Sequence, residues 1–307
     1  MKDNKKGKVL LAMSGGLDSS VAAILLQQQG YNLVGITFKP FDSISRACAE
    51  KEIGCCNTDT LFEAKELARK LNFEHHIIDA KDTFNETVIK NFISEYMSGR
   101  TPNPCVVCNK SIKWGVIIDE AKKHNCDFIA TGHYARIGEN KGRFFIKQGI
   151  DTSKDQSYFL WMLEHEVLKK TIFPLGEYTK TEVREIARAN GFSKIADKKE
   201  SQEVCFITDN DYRRFLSDNV DNLPGEGNFV DLNGKILGKH KGFPFYTIGQ
   251  RKGLQIALGE PVYVVKIIAE TNTIVLGKKQ DLACKKAELE GVLLNKRDCS
   301  NEEIMVK

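Results

Sequence analysis

The chain has no apolar stretch approaching the roughly 20 residues that a membrane-spanning helix needs, so no membrane role is expected. Its basic start, residues 1–8, is followed by only five apolar residues, Val9 to Met13, before Ser14. That is too short for the core of a signal peptide. Internal repeats and low-complexity tracts are absent. Neither charge dominates: 45 basic against 41 acidic side chains leave a net charge of +4. This mild excess permits an RNA partner without announcing one. The G-x-x-x-x-G-K-[ST] pattern is missing, which excludes a Walker loop. Cysteine, by contrast, is plentiful. Nine cysteines without a secretory signature fit a reducing cytoplasm, where thiols serve catalysis, sulfur transfer or metal binding more readily than structural disulfides.

With 307 residues, 41% of them hydrophobic, the chain can bury one large domain and a smaller one. Its first two hundred residues alternate strand and helix. Val9 to Met13, Val34 to Phe38, His75 to Ile78 and Asp127 to Thr131 read as strands. A helix capped by Asp59 runs to Leu71, with Leu61, Ala64, Leu67, Ala68 and Leu71 on one face. Thr83 to Glu86 reads as a capping box for a helix through Tyr96, and Thr179 to Glu182 as another for a helix stopping at Gly191. Ile112 to His124 is a further helix with Trp114, Ile117, Ile118 and Ala121 on one side. Such alternation predicts an α/β fold, a parallel sheet with helices on both faces. Tyr134 to Ile150 reads as a hairpin turning at Glu139 to Gly142. Beyond Pro224 the pattern becomes β-rich, with a hairpin at Asn233-Gly234 of type I′ and strands at Pro261 to Ile268 and Thr273 to Leu276.

Ser14-Gly15-Gly16-Leu17-Asp18-Ser19-Ser20 joins the first strand to a helix. A strand, a glycine turn and a helix N-terminus present backbone N–H groups toward one point, which favours phosphate. Gly15 and Gly16 let oxygens approach the backbone, and the hydroxyls of Ser14 and Ser19 can donate to them. Asp18, a carboxylate beside an anion site, is best explained by Mg²⁺ bound with the phosphates. Ser14 and Gly132 both follow strand ends, so they border one crevice beyond the carboxyl edge of the sheet. Two further segments carry cysteines. Gly99 to Lys110 contains Cys105 and Cys108, with Cys108 placed just before a helix starting near Asn109. The helix dipole, Lys110 and Lys113 would all raise the thiolate fraction there. Cys205 lies in Glu200 to Ile207.

These segments resemble a known family. SGGLDSS is similar to the pyrophosphate loop of the adenine nucleotide alpha hydrolases, the PP-loop ATPase superfamily, which is Rossmann-like and splits ATP to AMP and pyrophosphate. Together with GRTPNPCVVCNKSIKW, ATGHYAR followed by KDQSYFLWML, and ESQEVCFI followed by GFPFYTIGQRKGL, it resembles the tRNA-specific 2-thiouridylase family from about residue 8 onward. The resemblance implies an ATP-dependent sulfurtransferase that adenylates the C2 oxygen of the wobble uridine and replaces it with sulfur. It implies ATP and Mg²⁺, a tRNA substrate, a persulfide-carrying donor protein and a monomer. Ala12, Met13, Ser14, Gly15, Gly16, Leu17, Asp18, Ser19, Phe38 and Gly132 would line the ATP site, with Phe38 standing where relatives have methionine and still able to stack on adenine. Asp18, Cys108 and Cys205 would be catalytic. Cys205 would carry the persulfide, and Cys108 would attack it, leaving a Cys108–Cys205 disulfide for reduction. Asn103, Pro104 and Cys105 would border the target base, and Lys154, Asp155 and Gln156 would touch tRNA.

Two departures stand out. Cys105 replaces an aspartate of the relatives, so Cys105, Cys108 and Cys205 could instead hold a [4Fe–4S] cluster whose open iron carries sulfide; spacing alone also allows zinc. The chain ends at Lys307, where relatives continue into a C-terminal β-barrel. The expected organisation is therefore a catalytic domain over residues 1–217, a small β-rich domain over 218–280, and the first strands of an incomplete barrel over 281–307.

Other residues receive plainer readings. Cys55 and Cys56 are vicinal and expected as buried thiols, and Cys48, Cys126, Cys284 and Cys299 as small core or surface residues. Of His75 and His76, one should be exposed and one packed, with no metal role. His133 divides evenly between a nucleotide or base contact and a structural role. Phe159, Leu160, Trp161 and Leu163 read as core. Arg213-Arg214, Lys239-His240-Lys241 and Arg251-Lys252 could follow an RNA backbone, but short charge runs are usually solvated faces. Two rival functions remain open: an amide ligase of the NAD or GMP synthetase type, which would share the loop but not need Cys108 and Cys205, and a non-catalytic tRNA-binding paralogue.

Overall fold

The computed structural model describes residues 6–40, 58–198, 204–207, 209–256 and 259–293. The chain divides into two compact units. The first comprises Met1–Thr87, Cys105–Thr208 and Val292–Lys307, and the second Val88–Pro104 and Asp209–Gly291.

The first unit is built on the strands β1 (Lys8–Ala12), β2 (Asn32–Lys39), β3 (Glu74–Asp79) and β4 (Phe128–Thr131), a hairpin of β5 (Ala135–Asn140) and β6 (Arg143–Gln148), and the short β7 (Thr171–Ile172). The main sheet has the order β3-β2-β1-β4-β7, with every pair parallel. Its centre explains why β1 is an uninterrupted apolar run. Val9, Leu10 and Leu11 are all fully buried, because helices cover both faces. Successive side chains alternate between those faces. Val9, Leu11 and Met13 join a core with α1 (Leu17–Gln28), whereas Leu10 joins Trp114, Ile117 and Ala121 on the other side.

The remaining helices of this unit are α2 (Thr58–Lys70), α3 (Lys81–Phe84), α5 (Pro104–Cys108), α6 (Gly115–Lys123), α7 (His165–Leu168), α8 (Lys180–Ala189) and α9 (Ser193–Ala196); α4 (Lys90–Met97) and α10 (Tyr212–Asn219) lie in the second. π-helical turns fill Asn85–Ile89 and Asn109–Trp114. Three helix starts differ from the sequence expectation. α2 already runs at Thr58, so Asp59 lies inside it. The helix expected from Thr83 starts at Lys81, with Ala80 as an N-cap that makes no side-chain cap, and just before it Asp79 accepts the Lys81 N–H at 3.0 Å. The helix expected from Ile112 starts at Pro104, whose fixed φ suits a first helical position. The box at Thr179 is formed as expected, with Thr179 N donating to Glu182 at 2.7 Å and Glu182 N donating to the Thr179 hydroxyl at 3.3 Å.

In the second unit β8 (Gly227–Val230), β9 (Ile236–His240), β10 (Tyr263–Ile268) and β11 (Thr273–Gly277) form a sheet of order β10-β11-β8-β9. Phe229, Val264, Ile274 and Leu276 fill its core with Phe243 and Tyr246. The β8–β9 hairpin exists, but its turn is not type I′. Only Gly234 has positive φ, at 84°. Asp231 accepts the Gly234 N–H at 3.1 Å through its carbonyl and the Lys235 N–H at 2.9 Å through its side chain. That is a type I turn closed by a left-handed glycine, the three-residue hairpin alternative. Aromatic rings join α4 and α10: Tyr96 stacks on Tyr212 at 4.7 Å, and Phe92 meets Phe215 edge-on at 5.7 Å.

Residues 283–293 form no strand; the rest of the expected barrel start lies outside the described residues, as do Cys48, Cys55, Cys56 and Cys299. Among the described residues no helix is long and apolar enough to cross a membrane.

Candidate active site

β2 and β3 lie on one side of β1, and β4 on the other. The order therefore reverses between β1 and β4, which opens a crevice beyond their carboxyl ends. The Ser14–Ser19 loop follows β1 and Gly132 follows β4, so topology brings together the two segments that the sequence singled out. Gly15 has φ of +70°, and a Cβ there would lie 2.1 Å from the Thr60 carbonyl oxygen. At Gly132 a Cβ would lie 2.9 Å from both the Asp18 carbonyl carbon and the Ser19 nitrogen. Glycine at 132 is what lets α1 seat its first turn against the end of β4.

Gly16 is the N-cap of α1 and supplies no side-chain cap. Its carbonyl receives the Ser19 hydroxyl at 3.1 Å and the Ser20 hydroxyl at 2.9 Å. The Ser14 N–H is turned to Ser19 Oγ at 3.2 Å. First-turn N–H groups and the positive end of the helix dipole are left to meet an anion. Ala12 ends β1. The Met13 side chain is buried, its sulfur 2.8 Å from where a Gly35 Cβ would stand, so Met13 reaches the crevice only through its backbone. Phe38, near the end of β2, is half-buried against the Leu10 side of the core.

Asp18 has two partners that sequence reasoning missed. Lys180, the first residue of α8, places Nζ 2.7 Å from Oδ1 and 3.0 Å from Oδ2, and the Tyr134 hydroxyl donates to Oδ1 at 2.8 Å. The Lys180 ammonium also lies 5.5 Å from the Tyr134 ring centroid. Tyr134 sits in a singled-out motif, so its position was a usable signal. Lys180 follows a capping residue and carried none.

Lys113 and His133 form a second polar group. Lys113 Nζ is 3.4 Å from His133 Nε2, and His133 Nδ1 is 2.6 Å from Thr131 Oγ1. Burial holds the imidazole well below its ordinary pKa, and the Lys113 ammonium pushes in the same direction. An ammonium only donates, so Nε2 accepts and Nδ1 carries the proton toward Thr131. The ring packs 5.7 Å from Trp114 and 6.2 Å from Phe173. His133 is thus a neutral support that aims Lys113.

Cys105 is exposed and Cys108 half-buried, one turn apart on α5. Cys108 does not precede the helix as expected; it lies a turn inside it. The π-turn after Cys108 directs Asn109, Ile112 and Trp114 inward. Asn109 Nδ2 donates to the Phe159 carbonyl at 2.9 Å, while its Oδ1 is buried with no hydrogen-bond partner among the described residues. Cys205 is half-buried. Its neighbour Phe206 meets Phe84 of α3 edge-on at 5.7 Å, and α3 also packs on Asn109–Trp114. Both cysteine segments lean on α3.

The expected RNA-contact residues are partly engaged internally. Asp155 accepts from Gly149 N at 3.2 Å and from the Ser157 N–H and hydroxyl at 3.1 and 2.9 Å. These hydrogen bonds hold its carboxyl below the ordinary value despite the opposing effect of burial. Gln156 Oε1 accepts the Tyr134 N–H at 3.0 Å. Lys154 is half-buried beside them. Asn103 and Pro104 directly precede Cys105. Leu160 and Leu163 are core as expected, but Trp161 is 44% exposed.

The family model described as tRNA methyl transferase HUP domain matches residues 7–209, and the one described as tRNA methyl transferase PRC-barrel domain matches residues 213–278. A tRNA-specific 2-thiouridylase MnmA from Amoebophilus asiaticus is 52% identical over 282 residues, covering 91% of this chain and 75% of that protein. The MnmA of Salinibacter ruber is 50% identical, covering 91% and 74%. A solved 4-thiouridine synthetase–RNA complex with bound ATP gives a TM-score of 0.45 at 20% identity over 70% of this chain and 50% of that one, a likeness too slight to carry an argument.

Proposed function

The chain belongs to the tRNA-specific 2-thiouridylase family, and we propose that it is an ATP-dependent sulfurtransferase that adenylates a tRNA uridine and exchanges its C2 oxygen for sulfur. ATP is the activating reagent, because the C2 oxygen leaves poorly until it carries AMP. The wobble uridine lies in a single-stranded loop, where it can be splayed into a pocket at modest cost.

The observation that carries this reading is the uncapped α1 N-terminus with its glycine loop at the switch point between β1 and β4. It suits the β- and γ-phosphates, whose departure as pyrophosphate it would stabilise. Asp18 would be the carboxylate that holds Mg²⁺: Lys180 and the Tyr134 hydroxyl orient its oxygens, and its side chain keeps 35% exposure. One carboxylate with phosphate oxygens fits the ion's preference, and the ion would supply charge neutralisation of the phosphates. Lys180 holds Asp18 in place and brings a second positive charge to the crevice. Lys113, aimed by neutral His133, brings a third.

In the first step the uridine O2 attacks the α-phosphorus of ATP, the bond to the β-phosphate oxygen breaks, and pyrophosphate leaves. In the second, the terminal sulfur of a persulfide on Cys205 attacks C2. The C2–O bond breaks and AMP leaves with its electron pair. The Cys108 thiolate then attacks the Cys205 sulfur. The persulfide S–S bond breaks, the transferred sulfur stays on the base, and a Cys108–Cys205 disulfide remains for an external dithiol to reduce. A persulfide-bearing donor protein reloads Cys205. The common support of both cysteine segments on α3 favours this pairing.

Purified protein given ATP, tRNA and a persulfide-bearing sulfur donor should form 2-thiouridine and AMP together. ATP–pyrophosphate exchange stimulated by a small carboxylic acid and indifferent to tRNA would overturn the reading in favour of an amide ligase. Binding of tRNA without AMP formation would point to a non-catalytic paralogue.

A further inference from the structure

Three side chains that the crevice and the cysteine segments do not use converge in the first unit. Glu74 and His76 are two residues apart on β3 and so share one face of the strand. His124 closes α6. The ligand-capable atoms of these three all lie within 4.8 Å of one another, the one such group of three among the described residues. The imidazoles of His76 and His124 lie 4.4 Å apart between centroids, tilted by 35°. His76 Nε2 is buried and has no hydrogen-bond partner among the described residues. Its nearest carboxylate oxygen, Glu74 Oε2, is 3.7 Å away, beyond hydrogen-bond range. An imidazole nitrogen removed from water with nothing to bond is costly unless something else takes its lone pair.

Glu120 extends the group. It stands one turn before His124 on α6, so both project from the same side of the helix. Its Oε2 is 3.8 Å from His124 Nε2 while Lys123 holds Oε1 at 2.6 Å. Lys8 Nζ donates to the His124 carbonyl at 2.8 Å and fixes the end of the helix. A strand pair and a helix pair therefore face one another, each with one histidine and one carboxylate.

We propose that Glu74, His76 and His124 form a binding site for a divalent transition metal of the zinc class, with water completing the four-fold set and Glu120 Oε2 beside it, 3.8 Å from His124 Nε2. Neutral imidazole and carboxylate donors in a four-fold set suit zinc, whereas magnesium and calcium take more oxygens. β3 is the edge strand of the main sheet. The ion ties that edge to the end of α6, which leads into β4 from its N-terminal side. The glycine loop follows the opposite, carboxyl end of β1. The site is thus a structural clamp, independent of the sulfur-transfer reading. Its sequence signal was weak because His124 is remote from His75-His76, and both strand histidines are half-buried rather than one exposed and one packed.

The cysteines could also take up zinc, so the probe is Co²⁺ followed by absorption and then displaced by Zn²⁺. Thiolate ligands give an intense near-ultraviolet charge-transfer band; nitrogen and oxygen ligands do not. The expected result is a visible d–d band of a nitrogen–oxygen site, saturating at one ion per chain and accompanied by a higher melting temperature. Mg²⁺ should produce neither. His76→Gln should weaken Zn²⁺ binding on the order of 100-fold or more. Glu74→Gln, an exposed change that leaves folding intact, should weaken it by at least about tenfold. A spectrum showing only thiolate bands, no uptake by the wild-type protein, or equal affinity in wild type and both variants would each overturn the proposal.

Discussion

Lys180 Nζ lies 2.7 Å from one carboxylate oxygen of Asp18 and 3.0 Å from the other, although 162 residues separate the two along the chain. Lys180 is 8% exposed. The pair therefore couples the start of α8 to the first turn of α1, where the nucleotide phosphates are proposed to sit.

Replacing Lys180 with methionine keeps most of the unbranched side chain and removes its ammonium. Pyrophosphate release should fall by about 10²-fold, the usual loss for a group aimed at developing charge. Asp18 keeps partial access to water, so the stability loss should stay near 1–2 kcal/mol, below that of a fully buried pair. Pyrophosphate release and denaturant unfolding on the same preparation check both figures. Unchanged release would remove Lys180 from the proposed machinery.

Gly132→Ala should weaken ATP binding by more than about tenfold, because the added Cβ meets backbone atoms of Asp18 and Ser19 at 2.9 Å and small misplacements at such sites are amplified. Circular dichroism should stay near wild type while calorimetric ATP affinity falls. Gly225→Ala, where a Cβ meets nothing within 4 Å and φ is not positive, serves as a control that leaves ATP affinity intact.

Cys205→Ser and Cys108→Ser should each abolish tRNA thiolation while ATP binding and tRNA-dependent pyrophosphate release persist. With a persulfide mechanism, Cys105→Ser should retain thiolation, and anaerobically purified protein should contain no stoichiometric iron or acid-labile sulfide. Iron and sulfide in stoichiometric amounts, lost on changing any of the three cysteines, would move the sulfur onto a cluster.

Stability should decline as pH falls below 6.5. Burial lowers the folded-state pKa of His133 from 6.5, so below that value the unfolded chain binds a proton that the folded chain refuses. The contribution is fully present above 6.5 and is lost progressively as pH falls toward the folded pKa, at about 1.4 kcal/mol per pH unit for one such group. His75, lowered to about 4 chiefly by burial, acts in the same direction but more weakly because it is half-exposed. Denaturant unfolding at pH 7.5 and 5.5 checks the slope, and His133→Gln should flatten it.

Much of this was legible along the chain. The buried run at β1, the glycine loop, the capping box at Thr179 and the hairpin at Glu139 to Gly142 all rest on neighbours a few residues apart. Helix starts were less legible: the helix expected from Thr83 already runs at Lys81, whose N–H Asp79 accepts, and Pro104 opens a helix that the periodicity placed at Ile112. The type I turn at Asn233-Gly234 depended on Asp231 taking the Lys235 N–H, a choice that the Asn-Gly pair alone does not announce.

The order of residues by itself determined the α/β architecture, the glycine loop between β1 and α1 and the thiols available for chemistry, since hydrophobic period, glycine conformation and side-chain reactivity are local properties. Only the folded chain decided that Lys180 answers Asp18, that His133 stands neutral behind Lys113, and that His124 meets Glu74 and His76. Those pairings follow from sheet order and helix packing, which bring together segments whose separation along the polymer encodes nothing about their distance in space.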